Sequence, residues 1–289
     1  MRIDAHQHFW RYDPVEYGWI DDSMTALRRD FLPAHLAPEL ASVGFQGSVA
    51  VQARQTMEET RWLLELAEAS SFVLGVVGWV DLRSDRVRAQ LGELAGHPKR
   101  VGVRHIVQSE PDDDFLLGAE FGRGIAQLRE LDLAYDVLIY PRHLAAAAEF
   151  ARRFPDHRLV LDHAAKPDVR SGEIDAWRRG LDVLAERPNV LCKLSGLVTE
   201  ADWSAWTEAQ LEPYIAAVLG AFGAERVMIG SDWPVCTLAS GYERTMRLVI
   251  DYLEARCAPD RERILGENAA RFWGLNPRRA AHDGTQPWR

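Results

Sequence analysis

The sequence has few cysteines and no long apolar run, and each of these absences excludes a class of protein. Its three cysteines, Cys192, Cys236 and Cys257, lack the C-x-x-C spacing of zinc ribbons and do not form a disulfide scaffold pattern. They are typical of reduced thiols, and the opening residues lack the apolar region of a signal peptide. No uncharged apolar stretch is long enough to cross a bilayer. We therefore expect a cytoplasmic protein that does not enter a membrane.

Basic residues are fewer than acidic ones: the chain has 34 Lys and Arg and 43 Asp and Glu, and its net charge is −9. No run of basic residues interrupts this acidic balance, so nucleic acids and anionic membrane surfaces are not expected partners. The remaining composition, with 47% hydrophobic and 27% charged residues, is ordinary for a globular protein. A chain of 289 residues can form two average domains or one large α/β barrel.

Eight apolar segments rich in β-branched residues alternate along the chain with helical patterns. The predicted strands cover residues 3–8, 47–53, 72–80, 101–106, 134–140, 158–163, 189–195 and 226–232. The predicted helices include residues 56–69, 119–131, 142–153, 173–187, 207–221 and 242–256. Eight such units without a linker predict an α/β fold, a single-domain (β/α)8 TIM barrel over residues 1–276, with right-handed crossovers that keep the helices outside.

An open, doubly wound sheet is the alternative fold. The G-x-G-x-x-G motif that would support it does not follow the first strand. After the eighth unit, residues 259–273 are predicted to form a short extra helix. Residues 277–289 are predicted to form a loose C-terminal tail.

Four residues that can bind a metal ion follow three of the apolar strands. In the first strand, a period of two places His6 and His8 on the same side, while His163 ends the sixth strand and Asp232 the eighth. In a (β/α)8 barrel these strand ends meet at one face. Three imidazoles and one carboxylate suit zinc, manganese or another divalent ion with an open position for water. The alternative is that the histidines are ordinary structural residues.

Other polar residues also lie at the ends of predicted strands. Each could contact a substrate or could be a solvated side chain at the rim of the barrel: Gln52, Arg54, Arg104, His105, Lys166, Lys193 and Ser195. The aromatic segment of residues 9–20 either folds over the two histidines or packs as ordinary hydrophobic core.

Several of these segments resemble the amidohydrolase superfamily, in particular its amidohydrolase 2 branch. The similar segments are Asp4–His8, Leu161–His163, Ile229–Pro234 and Leu265–Leu275, so that the resemblance runs over nearly the whole chain. The opening DAHQHFW and the DHAAKP segment that starts at Asp162 are more specific. They are similar to the sugar-lactonase group, which includes L-fuconolactonase-like and L-rhamnonolactonase-like enzymes, and more distantly to the pyrone-dicarboxylate lactonase.

The resemblance implies a hydrolase with at most one divalent metal ion, zinc or manganese. Two-metal amidohydrolases carry a bridging Lys at the fourth strand and a His at the fifth, whereas Arg104–His105 and Tyr140 stand at those places here. Whether catalysis requires the metal is left open. The implied substrate is a small sugar-derived lactone, an aldonolactone such as L-fuconolactone.

In the implied mechanism, Asp232 deprotonates the attacking water and returns the proton to the ring oxygen that leaves. His163, Arg104 or His105, and the two N-terminal histidines polarise the carbonyl and hold the oxyanion. Aromatic faces for the sugar are predicted at Trp10, Trp79 and Trp233, and hydroxyl contacts at Gln52, Arg54, Lys166 and Ser195.

Two further functions remain open from the sequence. The same branch includes metal-dependent decarboxylases, which act on aromatic carboxylates. A sugar-binding barrel without catalysis is the third hypothesis. Asp232 argues against that third hypothesis, because a carboxylate is costly to bury and sugar binding does not require one.

Overall fold

The computed structural model describes residues 1–275, in which eight parallel β-strands alternate with α-helices. The strands are β1 Ile3–Gln7, β2 Gly47–Val51, β3 Val73–Gly78, β4 Arg100–His105, β5 Ala134–Val137, β6 Leu159–Leu161, β7 Val190–Leu194 and β8 Val227–Ile229. The helices are α1 Pro33–Ser42, α2 Met57–Ala69, α3 Val87–Leu94, α4 Ala119–Leu128, α5 Leu144–Arg153, α6 Asp175–Ala185, α7 Glu208–Phe222, α8 Tyr242–Arg256 and α9 Asn268–Trp273.

The strands follow one another in sequence order around the sheet, each parallel to its neighbours. This topology confirms the predicted (β/α)8 barrel and excludes the doubly wound alternative. The predicted tail over residues 277–289 and residue 276 lie outside the described residues. None of the helices in residues 1–275 combines the length and the apolar character that a membrane span requires.

The barrel closes between β1 and the segment that follows β8. Asp232 N donates a hydrogen bond to His6 O at 2.8 Å, and Gln7 pairs with Trp233 in a parallel bridge. Gly230 makes this approach possible, because a Cβ atom there would lie 2.8 Å from His6 Cβ. Closure therefore brings the backbone of Asp232 directly against that of His6.

Two layers fill the barrel interior. The lower layer is one apolar cluster contributed by the strands and by the last helix: Ile3, Ala5, Val49, Val51, Val77, Val101, Ala134, Val160, Met228, Phe272 and Trp273. Trp273, at the end of α9, lies at the base of the barrel. The predicted C-terminal helix within residues 259–273 is confirmed: a π-helical turn, Arg263–Glu267, with a kink at Gly266 leads into α9. The upper layer is polar and buried, and it carries the candidate functional site.

The aromatic segment that follows β1 packs as hydrophobic core. Trp10 is completely buried and pairs with Phe31 through reciprocal backbone hydrogen bonds of 2.9 and 2.8 Å. Its indole Nε1 donates to Arg29 O at 3.0 Å. Phe31 in turn packs edge-on against Trp233, with ring centroids 5.2 Å apart. The segment thus forms an apolar wall beside Trp233, the residue next to Asp232.

Glu59, in the first turn of α2, links the aromatic segment after β1 to the end of β2 through hydrogen bonds. Its side chain is only 3% exposed and accepts hydrogen bonds from Ala53 N at 3.0 Å and Arg54 N at 2.7 Å. The hydroxyl of Tyr17 donates to the same carboxylate at 3.4 Å. Burial raises the pKa of Glu59 to about 7, because the two amide hydrogen bonds compensate only part of the lost hydration.

This pKa predicts how the stability of the fold depends on pH. The folded-state pKa lies above the ordinary value of 4.5, so Glu59 stabilises the fold below that value and loses this contribution as the pH rises through about 7. Glu59→Gln cannot ionise. Between about pH 4 and pH 8, the free energy of unfolding of the wild type should therefore fall relative to that of Glu59→Gln by about 3 kcal/mol.

Denaturant titrations at several pH values measure this difference. Glu58→Gln is the matched control, since Glu58 is the exposed neighbour in the same helical turn. A pH-independent difference in the free energy of unfolding between the wild type and Glu59→Gln would contradict the raised pKa of Glu59.

Candidate functional site

Three imidazoles and one carboxylate converge at the top of the polar layer of the barrel. His6 Nε2 lies 3.2 Å from His8 Nε2. Asp232 Oδ1 lies 3.3 Å from His8 Nε2 and 3.9 Å from both His6 Nε2 and His163 Nε2. All four side chains are buried. The structure thus brings together the four residues that the sequence predicted as metal ligands.

A bulge in β1 orients the two N-terminal histidines. The pairing register of β1 with β2 shifts between Asp4 and Gln7. Ile3 and Ala5 therefore belong to the apolar layer, whereas His6 joins the polar layer above it. His8 lies two residues later on the same side, as the period of two predicts.

The other two residues lie beyond the ends of their strands, in unusual backbone conformations. His163 (φ 51°) begins a run of four residues with positive φ that ends at Lys166, and Asp232 has φ 57°. Left-handed conformations cost L-residues roughly 1–2 kcal/mol each. Such strain concentrates at functional sites, where the surrounding contacts maintain it. Here Trp177 Nε1 donates to Ala164 O at 2.7 Å and stabilises the turn.

Hydrogen bonds to the distant ring nitrogens orient two of the imidazoles. His8 Nδ1 lies 2.7 Å from Val51 O, a pure acceptor, so Nδ1 carries the hydrogen and Nε2 is bare. His163 Nδ1 lies 2.9 Å from Ser195 Oγ. In both residues the Nε2 atom points towards Asp232.

This donor set fits a divalent metal ion. His6, His8 and Asp232 offer ligand atoms that all lie within 4.8 Å of one another. Two nitrogens bound to one zinc ion at about 2.0–2.1 Å, with a near-tetrahedral angle, are about 3.3 Å apart. The 3.2 Å between His6 Nε2 and His8 Nε2 agrees with that separation. His163 Nε2 lies beside this set, 3.9 Å from Asp232 Oδ1. The carbonyl of Val51 provides for His8 the outer contact that metal-binding histidines usually have.

The charges at the site follow from its burial. Burial lowers the pKa of His163 to about 4 and that of His6 well below its usual value. Although burial disfavours its charge, the facing imidazoles of His163, His8 and His6 keep the pKa of Asp232 below its usual range. The environment of Asp232 therefore does not raise its basicity. One carboxylate beside the neutral imidazoles of His6 and His163 is a charge pattern that suits a cation.

Four buried charged residues lie beneath the imidazoles. Lys193 Nζ forms an ion pair with Asp136 and a second one with Asp162 Oδ1 at 2.9 Å. Arg104 NH1 donates to Asp162 Oδ2 at 3.0 Å. Despite burial, Lys193, His6 and Arg104 hold the pKa of Asp162 well below its usual range, whereas burial raises the pKa of Asp136 to about 7.

The sequence analysis missed both aspartates of this layer. Asp136 follows Ala134 by two residues and Asp162 follows Val160 by two, and both of those residues line the apolar layer. The alternation along each strand could therefore have placed the aspartates in the barrel interior. A carboxylate within an apolar strand is the signal that points to a buried ion pair.

The structure separates the two neighbouring residues predicted at β4. Arg104 points into the barrel, where NH2 donates to Gln52 O and to Gln52 Oε1 at 3.1 Å. His105 points to the opposite face, because adjacent strand residues alternate. There His105 Nε2 lies 2.6 Å from Glu110 Oε1, and the imidazole ring stacks on the ring of Phe115. His105 therefore does not reach the histidine cluster, and Arg104 and Gln52 bind each other instead of facing open space.

Two of the three tryptophans that the sequence predicted as sugar contacts are buried instead. Trp10 and Trp233 are buried in the apolar wall and have no free ring face, whereas Trp79, just after β3, is partly exposed. Lys166 is partly exposed and pairs with Glu200 at 3.5 Å. Arg54 is paired with Glu16 at the rim.

Comparison with known proteins agrees with this architecture. A sequence model of the amidohydrolase family matches residues 3–275. The chain is 44% identical to an L-fucono-1,5-lactonase from Burkholderia multivorans over 286 residues, which cover 95% of this chain and 96% of that protein. It is 43% identical to an L-fucono-1,5-lactonase from Burkholderia ambifaria over 288 residues, with 96% of each protein covered.

Solved structures show the same barrel. The crystal structure of an amidohydrolase from Burkholderia multivorans with bound zinc has a TM-score of 0.92 and 43% identity, and the match covers 96% of this chain and 100% of that one. A 2,6-dihydroxybenzoate decarboxylase from Rhizobium has a TM-score of 0.64 and 15% identity, with 94% and 98% covered, which shows the fold alone. The sequence match over residues 3–275 and the shared barrel confirm the resemblance noted in the sequence: the chain belongs to the amidohydrolase family, in its amidohydrolase 2 branch.

Proposed function

We propose that this protein is a lactonase that opens a sugar-derived lactone, such as L-fuconolactone, to the sugar acid. The observation that carries the proposal is the cluster of three imidazoles around Asp232, in a chain 43–44% identical to two L-fucono-1,5-lactonases over nearly its full length. A buried carboxylate that faces imidazole nitrogens supports hydrolysis over simple sugar binding, because sugar binding does not require such a costly group.

The charges near the site favour a neutral substrate. Arg104 is paired with Asp162, and Arg54 with Glu16. A substrate with a free carboxylate would have to displace one of these pairs. A neutral polyhydroxylated lactone needs no such displacement, and this distinction disfavours the decarboxylase hypothesis.

A single divalent cation fits the proposed ligands His6, His8, His163 and Asp232. The zinc bound in the Burkholderia multivorans amidohydrolase supports zinc as the ion. When bound, such a cation would acidify a water molecule and polarise the lactone carbonyl.

Asp232 then has the role of accepting the proton of the attacking water and delivering it to the ring oxygen that leaves. Because its pKa is low, its contribution depends on alignment more than on base strength. Alignment is available, since Asp232 is anchored through its backbone to His6 and lies 3.3 Å from His8 Nε2. An alkoxide leaves a lactone easily enough for one carboxylate to serve both steps.

Side chains around the rim of the barrel would recognise the sugar. Trp79 offers a partly exposed ring, and the Lys166–Glu200 pair offers a donor and an acceptor. Ser195 is buried and bonded to His163, so its role is to orient that imidazole.

The proposed substrate class predicts the order of rates on three kinds of bond. A five- or six-membered aldonolactone should be hydrolysed faster than a matched amide or a phosphotriester. An amide has a far poorer leaving group, and a phosphotriester generally needs a stronger nucleophile than one cation provides. Initial rates, corrected for spontaneous hydrolysis and measured with and without a chelator, test this order. Faster turnover of the amide or phosphotriester than of every sugar lactone tried would refute the assignment.

The role of Asp232 predicts the effect of one substitution. Asp232→Asn keeps the size of the side chain but cannot accept a proton, so turnover should fall by at least ~10²-fold while the fold is retained. Metal content should be measured on the same samples, which separates loss of the base from loss of the cation. Asp182→Asn, on the exposed side of α6, is the matched control and should retain activity. Near wild-type turnover of Asp232→Asn would remove Asp232 from the mechanism.

A further inference from the structure

The side chain of His6 has polar neighbours at both ring nitrogens, and these neighbours decide which nitrogen can bind a cation. His6 Nδ1 lies 3.2 Å from Lys193 Nζ and 3.4 Å from Asp162 Oδ1, a buried oxygen that, apart from its ion pair with Lys193, has no other hydrogen-bond partner among the described residues. The contact with Asp162 is favourable when Nδ1 carries the hydrogen, and the contact with Lys193 when Nδ1 is bare. A neutral imidazole has one hydrogen, so only one of the two arrangements leaves Nε2 free to bind a metal ion.

Arg104 distinguishes between the two arrangements. A guanidinium group only donates, and its five N–H bonds lie in a rigid plane. NH2 is held by Gln52, and NH1 donates to Asp162 Oδ2 at 3.0 Å. The other N–H of NH1 points at His6 Nε2 at 3.3 Å, which is a hydrogen bond only if Nε2 is bare, and a cation that binds Nε2 would take the place of this hydrogen bond. In the other arrangement His6 Nε2 would donate to His8 Nε2 at 3.2 Å, and its hydrogen would then face the N–H of Arg104.

Lys193 can adapt to this arrangement, whereas Arg104 cannot. An ammonium group rotates about its last bond, and its hydrogens can be directed to Asp136 and Asp162, both of which it contacts. Lys193 Nζ also lies 5.2 Å from the ring centre of Trp273, which provides a further favourable contact for its charge. Lys193 therefore does not need His6 Nδ1 as an acceptor.

We propose that Asp162 is a positioning residue that accepts the hydrogen of His6 Nδ1 and so presents a bare Nε2 towards His8 and Asp232. Lys193 and Arg104 neutralise Asp162 and keep its carboxylate available for this contact. This inference deepens the proposed function, since it rests on His6 as a ligand of the cation. It assigns roles to two adjacent residues: Asp162 orients the proposed ligand His6, and His163 is itself a proposed ligand.

The chain offers a pair of double variants that differ at this contact. Asp162→Asn/Lys193→Met and Asp136→Asn/Lys193→Met each remove one negative and one positive charge from the buried layer, so its net charge is unchanged. Asp162→Asn/Lys193→Met also separates Arg104 from its carboxylate partner, whereas Asp136→Asn/Lys193→Met keeps that pair. Only the first variant replaces the carboxylate beside His6 Nδ1.

The first measurement is the affinity of the purified full-length variants for Co²⁺, followed by its visible absorption and by competition with Zn²⁺. Loss of a contact that orients a metal-binding histidine typically costs 10–100-fold in affinity, so Asp162→Asn/Lys193→Met should lose about that factor and Asp136→Asn/Lys193→Met less than about threefold. Equal losses in the two variants, or no loss in either, would overturn the proposal. Thermal unfolding verifies that both variants are folded.

The second measurement reads the position of the hydrogen directly and needs neither a variant nor activity. In metal-free wild-type protein labelled with ¹⁵N-histidine, the His6 ring should show a protonated Nδ1 and a bare Nε2, assigned by its absence in His6→Asn. A protonated Nε2 would overturn the proposal even if Asp162→Asn/Lys193→Met does not fold. Neither measurement uses a lactone, so a failure of the lactonase proposal is seen separately, in the substrate comparison.

Discussion

The balance of charge inside the barrel is the constraint on which the rest of the site depends. Asp136, Asp162, Lys193 and Arg104 are all buried, and two positive charges are matched by two negative ones. Removing one partner of such a buried pair typically costs about 3–5 kcal/mol, because the remaining charge has neither water nor a counter-ion. The four side chains therefore hold one another in fixed positions. The imidazoles above them are positioned by a layer that can hardly rearrange.

The two layers of the barrel interior have complementary effects on the chemistry. The apolar layer, which Trp273 and Phe272 close at the base, excludes water from below. In such surroundings the attraction between charges is stronger than in water, and the pKa values of buried groups move far from their ordinary values. This is why His6 and His163 stay neutral and Asp232 stays ionised. The same burial that costs stability leaves one negative charge among the imidazole nitrogens of the site.

Closure of the barrel then determines the reacting geometry. β1 and the segment after β8 are far apart in sequence, yet the hydrogen bond from Asp232 N to His6 O joins them at the site. Asp232 and His163 adopt left-handed backbone conformations that an isolated peptide would disfavour. The surrounding contacts, among them the hydrogen bond from Trp177 to Ala164 O, compensate for that cost. The strain lies at the residues proposed to bind the cation, which is where a precise orientation is required.

Periodicity and the order of the strands can be read along the chain, so the sequence alone predicts the barrel and places His6, His8, His163 and Asp232 near strand ends. It did not determine which of Arg104 and His105 faces the interior, since that depends on the register of β4 against its neighbours. Nor did it reveal that Trp10 and Trp233 are core residues, because composition does not distinguish an aromatic that packs from one that binds. The partners of Asp162 come from β1, β4 and β7, and only the closed barrel brings them within hydrogen-bonding distance.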